Sequence, residues 1–85
     1  MSVFKDQAEF MKACGQTVGE FNLEQMSLYS NLVHEEFNEL VFATSRENEL
    51  KELMDLMVVL IGYGLSQGWD LEGADRKSTR LNSSH

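Results

Sequence analysis

The six residues Leu56-Met57-Val58-Val59-Leu60-Ile61 restrict this chain more than any other stretch. At about 100° per residue, six consecutive apolar side chains cover every side of a helix, and such a helix is expected to be buried all round. The uncharged stretch containing them, Leu56 to Leu65, has ten residues, whereas a bilayer span needs roughly 20. What covers this helix must therefore be other helices, and three helices in one subunit are too few. The expectation is a homodimer or homotetramer with no membrane partner. The opening residues Met1-Ser2-Val3-Phe4-Lys5-Asp6 form no signal-peptide core, and the reading is a cytoplasmic protein. One cysteine, Cys14, cannot make an intramolecular disulfide.

The remaining pattern is helical. A first helix is expected from about Phe4 to Cys14, with Phe4, Ala8, Met11 and Cys14 at helical spacing and Gly15 just beyond. Asn22-Leu23-Glu24-Gln25 is a capping-box pattern that opens a second helix, whose apolar residues repeat at three and four to about Ala43. Thr44-Ser45-Arg46-Glu47 opens a third, which reaches Gln67 with Gly68 as its C-cap. Asp70 to Ala74 reads as the opening turn of a fourth. No strand alternation is present. The fold class is all-α, an antiparallel bundle of three helices plus the start of a truncated fourth.

Residues 1–74 are read as the domain, and residues 75–85 (DRKSTRLNSSH) as a non-native, disordered tail resembling a translated sequencing adapter. Without that tail the chain has 13 acidic and 4 basic residues, a formal charge of −9. Such an excess argues against nucleic acid as a partner and calls for a cation to offset self-repulsion.

The carboxylates interrupt the helical pattern. Glu36 falls near the middle of the second helix's apolar arc, between Leu32 and Leu40, with Glu39 at its edge and Glu35 just beyond. On the third helix Glu52 shares a stripe with Leu56, Val59 and Tyr63, and Asp55 sits beside Val58 and Val59. A tight connection at Thr44 to Arg46 makes the two helices antiparallel neighbours. At about 1.5 Å rise per residue, Glu39 and Glu52 lie roughly 7 and 9 Å from the turn, and Glu36 and Asp55 roughly 12 and 13 Å. Any one glutamate would be read as a surface acid on a marginally amphipathic helix. Two i,i+3 pairs at matched depth are different, because four close carboxylates cannot all stay ionised and unpaired. Protons or a cation must sit among them, and oxygen ligands without clustered histidine or thiolate favour Mg²⁺ or Mn²⁺ over structural zinc.

Glu35-Glu36-Phe37-Asn38-Glu39, twelve residues, then Glu52-Leu53-Met54-Asp55 resembles the EExxE…ExxD signature of the MazG-like nucleoside triphosphate pyrophosphohydrolases. That all-α NTP pyrophosphatase superfamily also includes dimeric dUTPases and phosphoribosyl-ATP pyrophosphohydrolase. The similarity runs through FKDQAEFMKACGQTV and DLMVVLIGYGLSQGWDLEGA, most of residues 1–74. The resemblance implies an enzyme that hydrolyses a (deoxy)nucleoside triphosphate to monophosphate and pyrophosphate. By position, Glu36, Glu39, Glu52 and Asp55 would hold Mg²⁺, and Glu35 would be an outer ligand or the base acting on water. The family's fourth helix adds basic substrate contacts that this chain is read as lacking, so weak or no activity is expected of it. No residue is assigned to the nucleotide base.

Two other readings compete with this one. A di-iron bundle would need Glu-x-x-His pairs, which are absent. A non-catalytic helical module, oligomerising through the apolar third helix, is the alternative. Among other residues, His34 is read as exposed, Trp69 as a packing residue and Cys14 as a small buried hydrophobe. Gly62 and Gly64 are read as permitting close helix approach or backbone access to a ligand.

Overall fold

The computed structural model describes residues 2–83, with side chains to Lys77. It contains α1 (Val3–Ala13), α2 (Leu23–Val41), α3 (Arg46–Ser66) and α4 (Leu71–Ser83), and no strand among the described residues. Each helix starts where a short polar side chain accepts an orphan backbone amide. Ser2 Oγ accepts from Phe4 N at 3.2 Å, Asn22 Oδ1 from Gln25 N at 3.0 Å, Ser45 Oγ from Asn48 N at 3.1 Å and Asp70 Oδ1 from Gly73 N at 3.0 Å. The third cap is Ser45, one residue later than the Thr44 pattern suggested.

Gln25 does not reach back to Asn22 as a capping box would. Its amide instead accepts from Thr17 N (2.8 Å) and donates to Thr17 O (2.7 Å) and Ser66 Oγ (2.8 Å). The Asn22 amide donates to Ser66 O at 2.9 Å. These bonds tie the start of α2 to the end of α3, while the Thr44 connection ties their other ends. The result is an antiparallel pair held at both ends.

Met11, Tyr29 and Leu65 form the buried core, with Ala8, Val18, Leu32, Val59 and Ile61 packed against it. Close approach is made by Gly62, where an added methyl group would overlap the Tyr29 ring. The Tyr29 hydroxyl donates to Gln16 Oε1 at 2.6 Å.

One expectation is met and two need correction. The third helix is not buried all round within one chain: Leu53, Met54, Met57, Val58 and Leu60 are each at least 42% exposed. Only α2 runs along its length, so the faces turned from α2 stay open. The radius of gyration, 14.2 Å, exceeds the roughly 12 Å of a compact chain this long. Second, the helix opening at Asp70 does not stop at Ala74 but continues to Ser83. Nothing between them breaks a helix, since residues 74–83 contain no proline or glycine. The tail expected to be disordered is thus helical as far as Ser83, and residues 84–85 lie outside the described residues. Third, Cys14 is exposed, because it caps the end of α1.

Candidate metal centre

Glu36 and Glu39 stand about one turn apart on α2, and Glu52 and Asp55 about one turn apart on α3. Both pairs lie between the core residues Tyr29 and Leu65 and the hairpin turn. Glu36, Glu39 and Glu52 each present a carboxylate oxygen, and these three oxygens lie within 4.8 Å of one another. The Glu52 side chain is only 12% exposed. Glu36 Oε2 is buried and has no hydrogen-bond partner. A buried, unpartnered carboxylate oxygen costs free energy unless something supplies positive charge or a proton.

The electrostatics register that crowding. Glu39 is pushed from 4.5 up to about 7, first by a proton shared with Glu52, then by the negative charges of Glu36 and Glu52. Glu52 moves the opposite way, below the usual carboxylate range, through its hydrogen bonds to Glu39 and then Lys51. The two opposed shifts belong to one interacting pair of carboxyl groups that share a proton.

Asp55 is not in the three-oxygen group. Lys51 Nζ lies 3.0 Å from Glu52 Oε1 and 3.1 Å from Asp55 Oδ2, bridging the two acids of α3. These are the only ion pairs among the described residues, and they hold the Lys51 ammonium above its ordinary range. The role of Lys51 was missed from sequence, although a signal existed. It precedes Asp55 by four positions and Glu52 by one, spacings at which a long cationic side chain reaches both. Glu35 and His34 are exposed beside the group.

Glu39, Lys51 and Glu52 also line a cleft of about 420 Å³, closed by Phe42, Ala43, Thr44 and Asn48 around the turn. A larger hollow of about 650 Å³, bounded by Leu40, Arg46, Glu47, Glu49, Leu50 and Leu53, contains none of the three carboxylates. Reactive groups are concentrated in the smaller cleft.

The donor set suits a hard cation. All three donors are oxygens, and octahedral bonds of about 2.0–2.1 Å span oxygen pairs up to about 4.2 Å apart. At most one pair among three such ligands is trans, and the others stand about 2.9 Å apart, so an ion would draw these side chains together from within 4.8 Å. The orphaned Glu36 oxygen is the atom such an ion would satisfy.

Among known families, the profile described as PRA-PH, phosphoribosyl-ATP pyrophosphohydrolase, matches residues 6–79. No curated protein and no solved structure matches the chain. The match covers most of the sequence, and the all-α fold agrees with it. The chain belongs to the phosphoribosyl-ATP pyrophosphohydrolase family, part of the all-α NTP pyrophosphatase superfamily.

Proposed function

We propose that this pyrophosphohydrolase-family chain hydrolyses (deoxy)nucleoside triphosphates to monophosphate and pyrophosphate, with Mg²⁺ or Mn²⁺ held by Glu36, Glu39, Glu52 and Asp55. The carrying observation is the group of three carboxylate oxygens from Glu36, Glu39 and Glu52, together with the buried, unpartnered Glu36 Oε2. The resemblance of EEFNE and ELMD to the MazG-like signature favours a nucleoside triphosphate, whereas the family description names phosphoribosyl-ATP. Both offer the same anhydride next to a nucleoside α-phosphate.

When bound, the divalent ion neutralises phosphate charge and polarises the phosphoryl group. The chain's own part follows from position. Glu36 and Glu39 from α2 and Glu52 from α3 fix one centre between two helices clamped at both ends. Water adds its oxygen to one phosphorus of the α–β anhydride, Glu35 takes the proton, and the anhydride bond breaks to release pyrophosphate. The exposure of Glu35 allows that proton to pass on to solvent. The cleft bounded by Phe42 and Asn48 gives the polyphosphate a place beside the ligands.

The exposed apolar residues of α3, with Phe37, Val41 and Phe42, support a homodimer or homotetramer that covers them. No described helix is long and apolar enough to cross a membrane.

The assay is ³¹P NMR of a panel of nucleoside triphosphates, their deoxy forms and phosphoribosyl-ATP with Mg²⁺. Pyrophosphate plus a nucleoside monophosphate from a triphosphate supports the proposal. Turnover of phosphoribosyl-ATP alone would overturn the substrate and keep the reaction type. Orthophosphate as sole product would overturn both.

A further inference from the structure

Lys51 is the one cation paired with acidic side chains among the described residues, and it pairs with two expected metal ligands at once. Its ammonium takes one oxygen from Glu52 and one from Asp55, at 3.0 and 3.1 Å. Asp55 stands outside the three-oxygen group, its side chain 45% exposed, while Glu36, Glu39 and Glu52 each place an oxygen within 4.8 Å of the others. Bidding for the same oxygens sets the ammonium and a divalent ion against each other, since a carboxylate oxygen facing an ammonium at 3 Å is not free for a metal bond at about 2 Å. The geometry points to Lys51 as a tethered counter-cation that exchanges with the divalent ion: it holds Glu52 and Asp55 when the metal is absent and must release Asp55 for the metal to gain its fourth ligand. This rests on the metal centre proposed above.

Two consequences follow. Lys51 lowers metal affinity, because both ion pairs must be given up and a positive charge remains beside the bound dication. Lys51 also stabilises the metal-free chain, where the acids would otherwise repel one another. A purely structural lysine would produce only the second effect. A substrate-binding lysine would not alter binding of metal alone.

The test is binding of Mn²⁺ alone, followed by loss of the free-ion electron paramagnetic resonance signal, to wild type and to Lys51→Met, Lys51→Arg and Glu36→Gln. The Lys51 side chain is 66% exposed, so its variants keep the packing. Lys51→Met is expected to bind Mn²⁺ about tenfold more tightly, about 1.4 kcal/mol. Lys51→Arg keeps the charge and should stay within about twofold of wild type. In melts, Lys51→Met should be less stable than wild type without metal and gain more on adding Mn²⁺. Unchanged or weaker binding by Lys51→Met, with Glu36→Gln still abolishing it, overturns the exchange and leaves the metal centre standing. No Mn²⁺ binding by either wild type or Lys51→Met overturns the metal centre and the exchange together. Binding by Lys51→Met alone supports both.

Discussion

Replacing Glu36 by glutamine should move stability in opposite directions with and without metal. Glu36 Oε2 is buried without a partner, and a carboxylate oxygen of Glu36 stands within 4.8 Å of oxygens from Glu39 and Glu52. Leaving a buried polar atom unsatisfied costs roughly 1–3 kcal/mol, and more where it carries charge. Glutamine keeps the shape, removes the charge and offers an N–H to the two facing carboxylates. The metal-free variant should therefore gain about 1–2 kcal/mol, or several degrees in Tm at about 4–8 °C per kcal/mol for a domain of this size. Wild type should gain about 2.7 kcal/mol from a divalent ion at a hundredfold excess over Kd, and the variant should gain almost none. Paired thermal melts in chelator and in millimolar Mn²⁺ measure both halves. A variant less stable than wild type in chelator, or one that keeps the full metal shift, would refute the reasoning.

Other expectations follow from the same contacts. Glu39 binds its proton more tightly folded, at about 7, than unfolded, at 4.5, so its contribution is full below about pH 4.5 and is lost as pH rises through about 7. Metal-free urea midpoints should fall over that window relative to Glu39→Gln, and Mn²⁺ affinity should rise across it; a flat difference between the proteins would contradict the shared proton. Gly62→Ala should destabilise by about 1–2 kcal/mol in urea melts, because overlap with the Tyr29 ring outweighs the roughly 1 kcal/mol helix-propensity gain. Light scattering should show a dimer or tetramer, and Met57→Lys, on the open face of α3, should shift it toward monomer; a wild-type monomer at micromolar concentration would remove the oligomer proposal.

Much of this architecture was legible in the sequence because its signals are local. Asn22 and Gly68 mark helix ends whatever surrounds them, and the three-and-four spacing of Tyr29, Leu32 and Val33 marks a buried face. The carboxylates stood out because Glu36 occupies an apolar stripe, and an antiparallel hairpin has one register for a given turn. Side-chain partnership was less legible. Nothing in the spacing of Glu52 and Asp55 says whether they face a metal or Lys51, since a four-carbon stem reaches either acid at little cost. Gln25 abandoned its capping role because Thr17 and Ser66, distant in sequence, supplied better partners. The exposure of α3 in a single chain was legible, but an apolar sequence demands cover without saying which chain provides it. The extent of α4 was misjudged because serine-rich composition was read as disorder, although no residue from Ala74 to Ser83 stops a helix.

The proposed reaction is metal-assisted opening of a phosphoanhydride at a carboxylate centre built across α2 and α3. The most direct measurement is the phosphate product released from a nucleoside triphosphate with Mg²⁺, by wild type and by Glu52→Gln, each checked by circular dichroism to be folded. Wild type is expected to release pyrophosphate and no early orthophosphate, and Glu52→Gln to lose at least about a hundredfold in rate, as for a residue whose removal misplaces the ion and the water together. Orthophosphate as the sole product, or full activity in folded Glu52→Gln, would contradict it.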